Sequence, residues 1–206
     1  MQLAKPFNTA VTDTVIFLDF DGPLSNYRVY AQADNNLDFD PIAVRILQNV
    51  CEVANARIVC TSVRTFPNWQ IFNETKRLFT EAGMDISVLH PDWTVNKKYD
   101  HKRKDSIEDY LELHPEIKNY VIVDDEHVDI PEKLVLVDQM NGIMSEDLEK
   151  ICDILGIDIG DVFKRDFYRT YAGDQYVLVL DHWDQDTNDR IDKRHKKAAE
   201  EKTPKP

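Results

Sequence analysis

The chain alternates short apolar runs with segments in which apolar residues recur at helical spacing. Continuous apolar runs rich in β-branched residues predict buried strands, and the amphipathic segments between them predict helices. The strands are predicted at residues 15–18, 57–60, 86–89, 120–123 and 134–137. The helices are predicted to begin near residues 41, 68, 105 and 145. Regular alternation of this kind predicts an α/β fold.

This order of elements predicts a Rossmann-like three-layer α/β/α sandwich with a mainly parallel sheet. The carboxyl ends of parallel strands meet at one edge of the sheet, and ligands of such folds bind there. Polar side chains follow three of the predicted strands at this edge: Asp19, Asp21, Thr61, Ser62, Asp124 and Asp125. We therefore expect these side chains to converge in one site.

Four carboxylates in one site repel each other unless a cation neutralises them. All the donor atoms of this predicted site are oxygen atoms, and neither His nor Cys is among the donor residues. Such a donor set suits a hard ion such as Mg²⁺. Taken alone, a DxD or DD sequence after an apolar run is more often structural or a helix cap than catalytic. The predicted magnesium site therefore depends on the combination of Asp19 and Asp21 with Asp124 and Asp125.

Composition narrows the class of protein further. Hydrophobic residues make up 42% of the chain and charged residues 31%, and no apolar stretch is long enough to cross a bilayer. Residues 1–11 lack the features of a secretory signal, so we expect a cytoplasmic protein without membrane contact. The net charge of −13 makes a long nucleic acid a disfavoured partner. A basic cluster at residues 97–104 could still rim a phosphate site, or it could be a solvated turn.

Neither the cysteines nor the histidines show the spacing of a disulfide framework or a zinc site. Three widely spaced cysteines, Cys51, Cys60 and Cys152, predict buried and reduced thiols. Scattered histidines, without paired metal-ligand spacing, occur at positions 90, 101, 114, 127 and 182. No zinc site is therefore predicted.

The regular alternation fades after Gly160, which predicts a core of residues 1–160. Residues 161–183 are interpreted as an appendage, with Tyr176–Leu180 as a candidate edge strand. Residues 184–206 are charged and nearly free of apolar side chains, so we expect a frayed helix or a disordered tail.

Residues Phe17–Leu24, with the sequence FLDFDGPL, resemble the first motif of the haloacid dehalogenase (HAD) superfamily, DxDGxL after a hydrophobic strand. Residues 58–62 resemble the second motif, an apolar strand that ends in Thr or Ser. Lys104 fits the third motif, and residues 123–125 resemble the acidic fourth motif. The resemblance covers residues 15–157 and is closest to the small HAD domains of nucleic-acid repair proteins and deoxynucleotide phosphatases.

The resemblance implies that Asp19 attacks phosphorus to form an aspartyl-phosphate, which water then hydrolyses. It implies that Asp21 protonates the leaving oxygen and later activates the water. Thr61 is expected to hydrogen-bond a phosphoryl oxygen, and Lys104 to offset negative charge in the transition state. The lysines within residues 97–102 remain alternatives to Lys104, because a flexible side chain could reach the site from several positions.

The same resemblance implies a Mg²⁺ ion bound by Asp19, the main-chain carbonyl of Asp21 and Asp124, with Asp125 binding directly or through water. Neighbouring groups are expected to contact the substrate: Gly22, Ser62 and Arg64. The serine could take the place of the threonine before it if the strand register differs by one residue. The arginine could grip a second phosphate or a base edge, or it could be an ordinary surface residue.

The implied substrate is a nucleotide or a related small phosphomonoester. Residues 24–40 are too short for a folded cap domain, so we expect a minimal cap and an open site. Two alternatives remain: a noncatalytic protein that binds or sequesters a nucleotide, and a nucleic-acid end-healing phosphatase whose basic cluster at 97–104 faces the cleft. Three aromatic residues could stack on a nucleobase, although packing is their expected role: Tyr27, Tyr30 and Trp69.

Overall fold

The structure is a computed structural model that describes residues 12–31, 38–65, 69–95, 102–166, 169–172 and 175–178. The chain divides into two compact units, residues 1–162 and residues 163–206. Five strands build the sheet of the first unit: β1 (Thr14–Leu18), β2 (Arg57–Cys60), β3 (Leu89–Thr94), β4 (Asn119–Asp124) and β5 (Leu134–Leu136). They are all parallel, in the order β3-β2-β1-β4-β5.

Helices cover both faces of this sheet. The described helices are α1 (Tyr27–Tyr30), α2 (Pro41–Ala54), α3 (Trp69–Glu81), α4 (Arg103–Leu113), α5 (Ser145–Leu155) and α6 (Ile159–Asp166). Side chains of β1 alternate between the faces, because successive residues of a strand point in opposite directions. Ile16 and Leu18 belong to a core with α2, α3 and α5, whereas Val15 and Phe17 belong to a core with α4. The predicted Rossmann-like α/β/α sandwich is confirmed.

Local capping explains where several elements begin. Asp40 accepts a hydrogen bond from the Ile42 amide (2.9 Å), and Pro41 occupies the first turn of α2, as its sequence predicted. The strand predicted at 86–89 is wrong for most of its length. Residues Ile86–Val88 form a 3₁₀ turn capped by Asp85, and β3 starts only at Leu89. β3 lies at the edge of the sheet, where a strand tolerates a proline such as Pro91. In the sequence this proline interrupts the apolar run, so the pattern ended the predicted strand at residue 89.

The second unit contains a two-stranded antiparallel sheet of β6 (Arg169–Ala172) and β7 (Gln175–Leu178). The predicted strand at Tyr176–Leu180 overlaps β7, and its last two residues lie outside the described residues. The tail predicted at 184–206 also lies outside them. None of the described helices is both long and apolar enough to cross a bilayer.

All three cysteines are free and buried, as the sequence predicted. Burial raises the pKa of Cys51 to about 12 and the pKa of Cys152 to about 11. Burial also raises the pKa of Cys60 well above its ordinary value. Since the thiolate is the reactive form, these thiols are packing groups rather than nucleophiles.

Candidate active site

The register of the central strands places three polar residues side by side at the carboxyl edge of the sheet. β1 pairs with β2 on one side and with β4 on the other, so the residues at their ends, Asp19, Thr61 and Asp124, are neighbours. The Asp19 amide donates to the Val123 carbonyl (3.0 Å), and the Thr61 amide donates to the Leu18 carbonyl (2.8 Å). The backbone therefore fixes the spacing of these side chains.

Three carboxylates converge at this edge. Asp19, Asp124 and Asp125 each offer one oxygen, and the three oxygens lie within 4.8 Å of one another. Burial raises the pKa of Asp124 to about 6, with the Arg103 guanidinium opposing the shift and the charge of Asp19 adding to it. Burial and the charge of Asp19 also raise the pKa of Asp125. The ionised cluster therefore needs more positive charge than one guanidinium supplies.

The donor set of this cluster fits a hard divalent cation. Oδ1 of Asp19 is buried and has no hydrogen-bond partner among the described residues. Every donor of the cluster is a carboxylate oxygen, and such oxygens are the ligands that Mg²⁺ prefers. Asp19, Asp124 and Asp125 are thus the residues that could hold the ion.

The loop after β1 is tightly closed and passes close to Asp125. The amides of Leu24 and Ser25 both donate to the Phe20 carbonyl, at 3.0 and 2.7 Å. Gly22 has a φ of +81°, and a Cβ at this position would lie 2.5 Å from the Asp125 Cβ. Only glycine fits such a close approach combined with a left-handed backbone. The glycine of the first motif therefore lets the loop lie against the acidic end of β4.

Arg64 contacts the same loop through its side chain. Its Nη2 forms an ion pair with Oδ1 of Asp21, and its Nη1 donates to the Ser25 hydroxyl (3.2 Å). Both charged side chains remain partly exposed, at 38% for Arg64 and 40% for Asp21. The carboxylate of Asp21 is thus directed to an arginine, and its predicted metal contact through the carbonyl stays a prediction.

The hydroxyls of Thr61 and Ser62 have different surroundings. Ser62 Oγ accepts from the Arg64 amide (3.3 Å) and so caps the short 3₁₀ helix Val63–Thr65. Thr61 Oγ1 is fully buried and has no hydrogen-bond partner among the described residues. An unpaired hydroxyl beside Asp19 can donate to a ligand oxygen without first breaking another bond. This arrangement favours Thr61 over Ser62 for the phosphoryl contact.

Arg103, the first residue of α4, supplies the cation of the site. Its Nη1 lies 3.1 Å from Oδ2 of Asp19 and forms an ion pair with Oδ2 of Asp124. Its Nη2 lies 3.5 Å from an oxygen of Glu126. Only 14% of the arginine side chain is exposed, so little solvent screens these pairs. The guanidinium therefore joins the ends of β1 and β4.

Lys104, the basic residue predicted for this role, points elsewhere. Its Nζ lies 3.8 Å from Oε1 of Glu108 and 3.7 Å from Oδ2 of Asp129, so the structure places Arg103 rather than Lys104 against Asp19. One step along a helix turns the side chain by about 100°, which separates these two neighbours. Of the alternative lysines, those at 97 and 98 lie outside the described residues, and Lys102 is exposed at the N-cap of α4. The sequence signal that could have identified Arg103 is its place in the basic cluster at residues 97–104.

Known families provide a match that covers most of this core. Residues 15–148 match the family described as the HAD domain in Swiss Army Knife RNA repair proteins. The chain belongs to this HAD family. No curated protein and no solved structure gives a significant match.

The HAD match begins in β1 and ends in α5, so it includes all the residues that meet at the carboxyl edge. Membership in the HAD superfamily, predicted from the sequence motifs, is confirmed. It supports HAD-type phosphohydrolysis as the general class of activity. The strands β6 and β7 lie outside the matched residues.

The segment after the loop that follows β1 carries exposed aromatic side chains. Tyr27 and Tyr30 are 56% and 60% exposed, and their rings meet edge to face with centroids 6.3 Å apart. The packing role expected for these two tyrosines is therefore wrong. The side chain of Trp69 lies outside the described part of the chain.

Proposed function

We propose that this HAD protein is a Mg²⁺-dependent phosphatase that hydrolyses a phosphomonoester through an aspartyl-phosphate on Asp19. The proposal rests on the environment of the Asp19 carboxylate. One oxygen of Asp19 pairs with Arg103, and the other is buried without a partner among the described residues, within a cluster that fits a divalent cation. A nucleophile held in this way has one oxygen oriented and neutralised and the other available for attack.

Each step can be assigned to a residue of the chain. An oxygen of Asp19 forms a bond to phosphorus while the bond to the leaving oxygen breaks, and Asp21, once protonated and released from its ion pair with Arg64, gives that oxygen a proton. Arg103 and the Thr61 hydroxyl stabilise the negative charge on the phosphoryl group. A water molecule then attacks the aspartyl-phosphate, Asp21 takes its proton, and inorganic phosphate leaves Asp19. When bound, Mg²⁺ would supply Lewis-acid neutralisation of the phosphoryl oxygens.

A nucleotide, or a related small phosphorylated metabolite, is the proposed substrate. The exposed rings of Tyr27 and Tyr30 follow the nucleophile loop directly and offer stacking surfaces for a base. Arg64, partly exposed, can bind a second phosphate, Ser62 is proposed to add a hydroxyl contact, and Gly22 is proposed to add a backbone contact. The net charge of −13 favours a small anion over a polymer. A cytoplasmic location is part of the same proposal.

A second candidate substrate is the terminal phosphate of a nucleic acid. The description of the matching family, which names RNA repair proteins, favours it. This candidate needs a basic surface at the cleft. In the described part of the cluster, Arg103 is mostly enclosed by carboxylates and Lys104 pairs with acidic residues, which leaves Lys102 as the exposed basic residue. The nucleotide therefore remains the first choice.

Phosphate release from a panel of substrates tests these proposals. The full chain is assayed with p-nitrophenyl phosphate, nucleoside monophosphates and a phosphate-ended oligonucleotide, each with Mg²⁺ and with EDTA. We expect turnover of p-nitrophenyl phosphate and of at least one nucleotide, and its loss in EDTA. Preference for the oligonucleotide, with KM rising steeply with salt, would select the second candidate. Tight nucleotide binding without release from any substrate would instead indicate a sequestering protein.

A further inference from the structure

A second cluster of metal-binding side chains lies at the amino edge of the sheet, at the opposite end of α4 from Arg103. His90 lies near the start of β3, His114 directly follows α4, and Glu116 lies in the turn before β4. Each offers one ligand atom, and the three atoms lie within 4.8 Å of one another. The 11 residues of α4 correspond to about 16 Å, so this cluster is separate from the carboxylates at the other edge.

The spacing of the donor atoms suits a small divalent ion. In a tetrahedral zinc site with bonds of about 2.0 Å, neighbouring ligand atoms are about 3.3 Å apart. Nδ1 of His114 lies 2.9 Å from Oε1 of Glu116, which is close to that separation. This contact is a hydrogen bond in the metal-free protein, so a metal would displace the bridging proton and move the two atoms apart by about 0.4 Å.

Each imidazole is held through the ring nitrogen that would not bind the metal. Nε2 of His114 lies 3.4 Å from Oδ2 of Asp92, while its Nδ1 faces Glu116. Nδ1 of His90 lies 2.7 Å from the Tyr110 hydroxyl, which donates to the Asp92 carbonyl (2.6 Å). Metal-binding histidines commonly donate their second ring N–H to a carboxylate or carbonyl group, as Nε2 of His114 can to Asp92.

Tyr110 and the Asp92 amide both contact Nδ1 of His90, which leaves Nε2 as the ring nitrogen for a metal and requires one tautomer change. The Asp92 amide donates to Nδ1 of His90 at 3.2 Å, which places the proton of the neutral ring on Nε2. On metal binding, Nε2 gives up its proton and Nδ1 takes one, so Nδ1–H then donates to the Tyr110 oxygen. The Asp92 amide then loses its acceptor and has to turn away from Nδ1, because two N–H groups cannot face each other.

The imidazoles of this cluster are held by packing, whereas its carboxylates face solvent. His90 is 6% exposed, and the ring of Tyr110 stacks on His114 with centroids 4.3 Å apart. The carboxylates form the rim, with 36% of the Glu116 side chain and 72% of the Asp92 side chain exposed. Buried imidazoles below an exposed acidic rim give a preorganised site that an ion can enter from solvent.

We propose that His90, His114 and Glu116 form a binding site for Zn²⁺ or a chemically similar divalent transition ion. Two nitrogen donors and one carboxylate distinguish it from the all-oxygen cluster around Asp19, and a water molecule would complete four-coordination. The bound ion ties β3, at the edge of the sheet, to the turn between α4 and β4.

Zinc titration in the presence of excess Mg²⁺ tests this site directly. The full chain is stripped with EDTA, returned to Mg²⁺ so that hard-ion sites are filled, and titrated with Zn²⁺ by calorimetry. Co²⁺ serves as a second probe, because nitrogen and oxygen ligation in a four-coordinate site gives visible absorption bands. We expect one equivalent to bind and to raise the Tm.

Variants locate the ion. His90→Gln and His114→Gln are expected to weaken zinc binding more than about 100-fold, and Tyr110→Phe about 10-fold. His127→Gln, an exposed histidine outside the cluster, is the matched control and keeps the parent affinity. If a histidine variant fails to fold, Glu116→Gln at the rim gives the same test. Parent-like zinc affinity in these cluster variants, or loss of the zinc equivalent in Asp124→Asn instead, would overturn the proposal.

Discussion

The two edges of the five-stranded sheet hold clusters of opposite character, although α4 reaches both. At the carboxyl edge, Asp19 and Asp124 are buried ionisable acids that share Arg103. At the amino edge, His90 and His114 are held by neutral partners and by carboxylates of the rim. The carboxylates of the first cluster repel one another, and a divalent cation would relieve that repulsion. The side chains of the second cluster already have hydrogen-bond partners without an ion. Changes at the carboxyl edge should therefore affect catalysis and pH dependence, and changes at the amino edge should not.

Removing the proposed nucleophile should give the largest effect. Asp19→Asn keeps the size of the side chain and its place next to Arg103 but removes the oxygen anion that is proposed to attack phosphorus. We expect turnover of p-nitrophenyl phosphate to fall by roughly 10⁴-fold or more. Steady-state phosphate release measures the loss.

Asp153→Asn is the matched control, since it makes the same chemical change at an exposed position of α5. It should leave turnover and the Tm at parent values. Substantial residual turnover in Asp19→Asn, with the fold intact by circular dichroism, would remove Asp19 from the nucleophile role.

The next largest effect separates two adjacent basic residues. Arg103→Ala removes the guanidinium that contacts Asp19 and Asp124, so kcat should fall by roughly 10²–10³-fold. Lys104→Ala loses only the pairs with Glu108 and Asp129 and should change kcat less than about threefold. Parallel kcat measurements on both variants decide between them. A larger loss in the lysine variant would contradict the observed orientation of α4.

Much of the carboxyl edge could be predicted because it depends on local patterns. Apolar runs located β1, β2 and β4, and the register of parallel strands then carries Asp19, Thr61 and Asp124 to one edge. The rotation of α4 about its axis could not be predicted. A shift of one residue in the helical phase decides whether Arg103 or Lys104 faces the carboxylates. That phase is set by packing of Ile107 and Tyr110 against the sheet.

The amino edge could not be predicted by the same reasoning. His90 and His114 are far apart in sequence, and their proximity depends on β3, whose start was misplaced because a capped 3₁₀ turn precedes it. The ligand spacing arises from tertiary packing of β3 beside the end of α4. Hydrophobic periodicity in the sequence indicates helices and strands, and it cannot predict such packing between them.

Stability of the metal-free protein should depend on pH through Asp124. Its folded pKa is raised from 3.8 to about 6, so between these values the folded state binds more protons than the unfolded state. The contribution is therefore favourable below about pH 4 and is lost as pH rises to about 6, by at most roughly 3 kcal/mol. The free energy of unfolding, measured by denaturant titration, should fall across this window relative to Asp124→Asn.

The asparagine variant is itself the control, because it retains every other titrating group. Added Mg²⁺ above pH 6 should restore stability to the parent protein and not to Asp124→Asn, since binding to the folded state stabilises it. If the free energy of unfolding depended on pH in the same way for both proteins, the Asp124 carboxylate would be ionised in the folded state without the predicted loss of stability.

The smallest effect compares one glycine from each edge. Gly22 at the carboxyl edge and Gly83, which precedes β3 at the amino edge, both have positive φ, at +81° and +90°. Alanine at either position incurs left-handed strain of about 1 kcal/mol. At Gly22 the added Cβ also meets the Asp125 Cβ at 2.5 Å, whereas at Gly83 it has no contact within 4 Å.

Denaturant unfolding of the metal-free protein should therefore show a larger loss of stability for Gly22→Ala than for Gly83→Ala, by roughly 1–3 kcal/mol. Because the displaced residue is a candidate ligand, Gly22→Ala should also weaken Mg²⁺ binding, and Gly83→Ala should not. Equal losses of stability in the two variants would mean that the loop after β1 accommodates the added Cβ without a further loss of folding free energy. The acidic end of β4 would then not depend on the close approach of that loop.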